Sequence, residues 1–286
     1  MAKKIIALVM SLVLVAGIVT VFTACGDEEV DNTKESLQSV VDGVNEGDDT
    51  VTMVEDLAYI QDKGTMVIGI TEYAPMNYKD ADGNWTGFDT EFALLVCEEL
   101  GVEAEFFVIG DWGQKVNELN AKNIDCVWNG MTITDELQEG MTISDPYVIN
   151  AQVIVTKEAN AETYATVEDL AGATVAVEGG SAGEAVALEA GLTTVAVAAQ
   201  SDALKEVKAG TADACVIDIT MAKAMTGEGT SYDDLTYTGS LSEEYYGIGF
   251  RKNSDLAVEV QAIIDELMAD GTLEALAQKY NLTLAE

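Results

Sequence analysis

Asp218 follows the β-rich run Ala214–Ile217. In an open α/β sheet, ligands sit just outside the carboxyl ends of strands, so an acid there faces a cleft more readily than a core. Its chemistry would be pairing with a cation. A similar run, Thr174–Val177, leads into Glu178-Gly179-Gly180-Ser181-Ala182-Gly183-Glu184. Two glycines and a serine between strand and helix suggest a loop whose N–H groups point into a cleft, although many strand-to-helix connections share this composition. Tyr73 stands in a turn beside Pro75, where a ring is less readily absorbed by a core. The chain has no histidine, which removes the commonest general base and the commonest zinc ligand together. No metal or cofactor is expected. Cys97, Cys126 and Cys215 lack metal-type spacing and read as buried thiols, with a Cys97–Cys126 disulfide as the alternative in an oxidising exterior. Asp213 reads as structural.

The elements that must place these residues alternate. Met66–Ile70 reads as a buried strand feeding the Thr71–Pro75 turn. Phe88–Leu100 has helical spacing, Asp89 near its start and Gly101 at its end. Val102–Ile109 predicts a strand, Val116–Ala121 a helix, and Cys126–Trp128 a strand. Gln152–Thr156 is β-rich, and a second strand-and-helix series begins at Thr174. Ala203–Ala209 predicts a helix and Ala214–Ile217 a strand. Tyr246–Phe250 is then followed by helices over Leu256–Met268 and Thr272–Tyr280. Such alternation predicts an α/β fold with a mostly parallel sheet.

At 286 residues, 48% of them hydrophobic, the chain is long enough for two domains with packed cores. Its net charge of −37 repels nucleic acid and anionic lipid surfaces. Nucleic acid is therefore excluded as a partner, and the acidic field would attract cationic ligands. Lys3 and Lys4 precede an apolar run from Ile5 to Phe22, the pattern of an export signal; an uncleaved membrane anchor is the alternative. Thr23-Ala24-Cys25-Gly26 resembles a bacterial lipobox, with Phe22 in place of the usual leucine. It implies a signal peptide over 1–24 and lipidation of Cys25. Residues 25–55 are acidic and low in aromatics and read as a tether.

Beyond about residue 55, the motifs together resemble the amino-acid-type, family 3 substrate-binding proteins of bacterial ABC importers. They run in that family's order: Ala74-Pro75, Gly87-Phe88-Asp89, Trp112, the segment Asp125–Tyr147, Val167–Gly172, Gly210–Asp218, Tyr246–Lys252, Asp270-Gly271 and Lys279-Tyr280. The resemblance implies a periplasmic-binding-protein-like fold of two α/β lobes joined by two crossover strands. The second lobe, 151–244, would be inserted into a first lobe made of 56–150 and 245–286. It also implies ligand-binding residues. Tyr73 and Trp112 would sandwich the ligand side chain, and Asn129, Gly130 and Thr132 would accept from its amino group. Ser181 and Ala182 would meet its carboxylate, and Asp218 would pair with its α-ammonium. Core packing is the alternative for each aromatic, and local backbone capping for Thr132.

One position departs from the pattern. Where the family carries an arginine that clamps the α-carboxylate, this chain has Leu137. The only arginine is Arg251, near the return crossover, where the resemblance implies surface basic residues. Two readings of the ligand stay open. In one, Ser181, the 181–183 backbone and the amides of Asn129, Asn150 or Gln152 hold a carboxylate. In the other, the ligand has an ammonium without an α-carboxylate and enters a pocket of Asp218, Tyr73, Trp112 and Trp128.

The function implied is that of a monomeric lipoprotein receptor on the outer face of the cytoplasmic membrane. It would deliver an amino acid or small amine to an ABC permease and ATPase. A sensory protein of the same fold is the nearest alternative. A cyclohexadienyl-dehydratase-like enzyme is a more distant one, since the chain lacks histidine and a cleft arginine.

Overall fold

A computed structural model describes residues 52–285; the signal, Cys25 and most of the tether lie outside the described residues. The chain makes thirteen strands among these residues. In the first sheet, β1 (Thr65–Ile70) lies between β4 (Glu103–Val108) and β5 (Cys126–Thr132), parallel to both. β13 (Glu244–Arg251) runs antiparallel to β5, β6 (Met141–Ile143) and β7 (Val148–Asn150). A short hairpin pairs β2 (Tyr78–Lys79) with β3 (Trp85–Thr86). The second sheet has the order β10 (Thr193–Val197), β9 (Thr174–Glu178), β11 (Ala214–Asp218), β8 (Gln152–Lys157), β12 (Leu235–Ser240).

Two lobes follow from this order. The first sheet takes strands from both ends of the described chain, and the second is built from the sequence between β7 and β13. The chain crosses between sheets twice, from β7 to β8 through Ala151 alone and from β12 back to β13. Asn150 of the outgoing strand lies opposite Glu244 of the returning one. The two polar side chains at the crossover therefore meet by register.

Helix Phe88–Leu100 forms as its apolar spacing predicts, with Gly101 in the left-handed conformation closing it. It buries Phe88 and Phe92 completely, about 1.5–3 kcal/mol of transfer free energy for each ring. Phe92 meets Trp128 edge to face with ring centroids 4.8 Å apart. Trp128 is thus fully buried in the first lobe's core, which corrects the expectation that it lines a ligand pocket. β5 is buried on both faces, so both its odd and its even side chains are core.

Arg251 is a second correction. It is buried rather than a surface residue. Its Nε donates to Asp56 Oδ2 at 2.8 Å and its Nη2 to Asp125 Oδ1 at 3.2 Å, while Nη1 donates to the carbonyls of Ile124 at 2.7 Å and Leu119 at 3.3 Å. This ties helix Asp56–Lys63 to β13 and to the start of β5. A buried guanidinium is tolerable only with such saturation by charge and hydrogen bonds. Cys97, Cys126 and Cys215 are buried and free, so the disulfide alternative for the first two is not realised.

Candidate ligand-binding site

A cavity of about 350 Å³ lies between the lobes. All eight residues proposed from the sequence line it: Tyr73, Trp112, Asn129, Gly130 and Thr132 from the first lobe, and Ser181, Ala182 and Asp218 from the second. The end of β1 and its following turn deliver Tyr73. A 3₁₀ turn, Trp112–Gln114, delivers Trp112. The C-terminal half of β5 carries Asn129 to Thr132. There the pairing with β13 shifts register between Gly247 and Gly249, which re-aims the strand into the cleft. Gly130 has φ +53°, and a Cβ there would stand 2.7 Å from the Tyr73 ring. Only glycine lets that ring lie against the strand.

Asp218 is the electrostatic centre. It is buried at the end of β11, and its carboxylate accepts from the side-chain amides of Gln152 (2.7 Å), Asn150 and Gln200. Glu244 draws on the same donors, its Oε1 accepting from Asn150 Nδ2 at 2.6 Å, Gln152 Nε2 at 2.7 Å and Thr132 Oγ1 at 2.8 Å. Burial first, and the Glu244 charge second, raise the pKa of Asp218 to about 7. Glu178 also lines the cavity, buried at the end of β9, with Oε1 lacking any hydrogen-bond partner. Burial first, and the Asp218 charge next, push it to about 8, while Lys115 opposes the shift. Gln152 Oε1 is the other unpartnered acceptor on the cavity wall. Two strand-end acids and an orphaned amide oxygen form a wall short of donors, which a cationic group would complete.

Several side chains do less than expected. The Asn129 amide is spent inside the lobe, accepting from Thr71 N and Asn77 Nδ2 at 2.9 Å each and donating to Thr71 Oγ1 at 2.7 Å. Asn150 is likewise committed to Asp218 and Glu244. Ser181 Oγ accepts from Glu184 N at 3.1 Å and so caps helix Ala182–Glu189, and Ser181 N–H goes to the Glu178 carbonyl. Of the loop donors, the N–H groups of Ala182 and Gly183 remain, because the first turn of a helix has no intrahelical acceptor. Leu137 lines the cavity and packs on the apolar cluster that contains Trp112 and Met131.

Sequence reasoning missed Lys115, Glu178, Gln152 as an acceptor, Gln200 and Glu244. The rule that identified Asp218 applies equally to Glu178, which also ends a parallel strand. Nothing in the local sequence marks Lys115, the first residue of helix Lys115–Asn120 and only 6% exposed.

The lobes touch at both ends of the cavity. Tyr73 Oη lies 2.5 Å from Thr220 Oγ1 and 2.5 Å from Tyr246 Oη, and Lys115 Nζ donates to the Gly180 carbonyl at 3.1 Å. A Cβ on Gly180 would stand 2.5 Å from Gly113 Cα across the cleft. Gly180→Ala is therefore expected to oppose closure and raise the Kd for ligand about five- to a hundredfold, from roughly 1–3 kcal/mol of overpacking. Calorimetric titration checks this, and an unchanged Kd would show that the approach of the two glycines is not needed for binding.

The match to known proteins agrees with this geometry. Residues 66–283 match the sequence profile of the bacterial extracellular solute-binding proteins, family 3. The chain belongs to this family. Among its relatives, the L-cystine-binding protein TcyJ of Escherichia coli K12 is 33% identical over 226 residues, covering 77% of this chain and 84% of the relative. The arginine-binding extracellular protein ArtP of Bacillus subtilis is 28% identical, covering 76% and 86%. Among solved structures, an ancestral amino-acid-binding protein, a precursor of cyclohexadienyl dehydratase, superposes with a TM-score of 0.72 at 31% identity, covering 79% of this chain and 99% of that one. As a family 3 solute-binding protein, the chain has the two-lobed architecture of amino-acid-binding relatives, which are binding proteins of the extracellular or periplasmic space.

Proposed function

We propose that this protein is the substrate-binding component of an ABC importer, capturing an amino acid between its lobes and delivering it to a membrane permease. The observation that carries the reading is the buried carboxylate of Asp218 in an inter-lobe cavity whose acids outnumber the one cation that lines it among the described residues. The ligand's α-ammonium would pair with Asp218. The ring of Tyr73 and the edge of Trp112 would cover its side chain, and the Asn129 carbonyl and the Thr132 hydroxyl would accept from its amino group. Relatives named for L-cystine and arginine support a ligand that carries more than one amine or guanidine nitrogen. Closure over such a ligand would shift the population toward the closed form read by the permease. Lipidation of Cys25 would hold the protein at the outer face of the cytoplasmic membrane, with 26–55 as tether.

The test is thermal unfolding of the purified protein with L-cystine, L-arginine, L-lysine and L-histidine in turn. An amino acid present at a hundred times its Kd adds about 2.7 kcal/mol of stability, and at least one of the four is expected to do so. If none moves the midpoint while a neutral sugar does, the amino-acid reading is wrong.

A further inference from the structure

Among the described residues a single cation, Lys115, lines the cleft. Its ammonium stands 4.8 Å from the centroid of the Trp112 ring and donates to two backbone carbonyls, Trp112 O at 3.3 Å and Gly180 O at 3.1 Å. An ammonium has three N–H bonds, so one is left over at the cavity wall. Among the described residues no carboxylate lies within ion-pair distance of it. Buried Arg251, by contrast, has two such partners, Asp56 and Asp125. Buried charges are ordinarily paired, and a buried cation whose neighbouring acids, Glu178, Glu136 and Asp111, all stay beyond ion-pair distance has a place for an anion at the edge of a ligand cavity.

We propose that Lys115 is the carboxylate-binding cation of this cleft, replacing from a different helix the arginine that the family places at position 137. The inference rests on the amino-acid reading above and selects between the two ligands left open by the sequence: the ligand keeps its α-carboxylate. Three features of the surroundings agree. Gly180, whose carbonyl receives Lys115, lies two and three residues before the N–H groups of Ala182 and Gly183, so a carboxylate beside the ammonium meets a helix start as well. Leu137 lines the same cavity and packs with the Trp112 cluster; an arginine there would add a second cation to one anion's site. Burial lowers the Lys115 pKa, opposed by the nearby charges of Glu178, Glu136 and Asp111. A bound carboxylate would favour the charged form further.

The acids also bound what the site can take. Glu184 already holds the Gly180 N–H at 2.7 Å, and Glu178 stands on the same wall, so only one carboxylate can be matched here. The ligand class is a zwitterion with one carboxylate at this end and its positive charge toward Asp218 and Glu178.

The test compares amino acids with the amines formed by removing their carboxylate: L-arginine with agmatine, L-histidine with histamine, and L-cystine with cystamine. Each is titrated into the full protein, Lys115→Met and the double variant Lys115→Met/Leu137→Arg. The native protein is expected to bind at least one amino acid tenfold or more tightly than its amine. Lys115→Met should weaken that amino acid about ten- to a hundredfold, the loss of a charge-assisted hydrogen bond, and leave the amine within about twofold. Adding Leu137→Arg should recover the amino acid. Thermal midpoints of the ligand-free proteins confirm that each variant is folded, and Lys115→Arg, which retains the charge, serves if Lys115→Met is not. Equal loss for amino acid and amine overturns the proposal, as does a native protein that prefers the amine; in that case capture of an amine at Asp218 still stands. If the native protein binds none of the six compounds, the amino-acid reading itself falls and takes this proposal with it.

Discussion

Asp218→Asn is expected to abolish amino-acid binding at micromolar concentrations while leaving a folded protein whose stability depends less on pH. Removing one partner of a buried, hydrogen-bonded charge pair costs about 2–5 kcal/mol, roughly thirty- to several-thousandfold in Kd. The upper part of that range applies because Asp218 is 2% exposed, with little water to replace the lost charge. The pH effect follows from burial. With its folded pKa raised to about 7 from the ordinary aspartate value of 3.8, Asp218 binds its proton more tightly folded than unfolded. Its contribution to the stability of the ligand-free protein is therefore fully present below about pH 4 and is lost as pH rises through 7. A cationic ligand needs the ionised carboxylate, so affinity runs the opposite way and rises between about pH 6 and pH 8. Melting curves of the ligand-free native protein and variant at pH 5 and pH 8, beside titrations at the same two values, check both parts. A variant that binds within tenfold of the native protein, or that keeps the native pH slope, would contradict this role for Asp218.

Arg251→Met should be the most destabilising of the substitutions considered, and it should act without touching the ligand. The guanidinium pairs with Asp56 Oδ2 and Asp125 Oδ1, whose residues are 0% and 1% exposed. Breaking a buried pair costs about 3–5 kcal/mol because the charge left behind has no partner. For a chain of this size that lowers the thermal midpoint by roughly 6–20 °C. Lys63 remains 2.5 Å from Asp125 and Lys122 remains 3.9 Å from Asp56, yet Lys122 is half exposed and neither lysine replaces the bonds to the Ile124 and Leu119 carbonyls. Arg251 does not line the cleft, so Kd measured well below the midpoint should change less than twofold. An unchanged midpoint would mean that Lys63 and Lys122 suffice for the two acids.

What the sequence made legible was what local chemistry determines. The helix Phe88–Leu100 was readable from its apolar spacing and Gly101. Asp218 was readable because the end of a strand in an α/β sheet has a known direction. The same rule extends to Glu178, which sequence reasoning passes over because the two glycines after it draw attention to the loop rather than to the acid. Arg251 was misread because its neighbours Lys252 and Asn253 look like a surface turn, while the acids that bury it are 195 and 126 positions away. Aromatic type alone points Trp128 to the pocket, whereas β5 has no solvent face at that point. Lys115 could not be found at all. Its meaning comes from Gly180, 65 positions away in the other lobe, and from the lack of a carboxylate within ion-pair distance among the described residues, neither of which leaves a local mark.

The most direct test of an amino-acid site built on Asp218 is a calorimetric comparison of one ligand with and without its free α-amine. L-Cystine, L-arginine, L-lysine and L-histidine are titrated into the native protein, and the tightest is repeated as its Nα-acetyl derivative, which keeps the carboxylate and side chain and removes the ammonium. The expected result is one site per chain for the free amino acid and at least a hundredfold weaker binding after acetylation, about 2.7 kcal/mol. Equal affinity for the two forms would contradict the assignment of Asp218 as the partner of the α-ammonium.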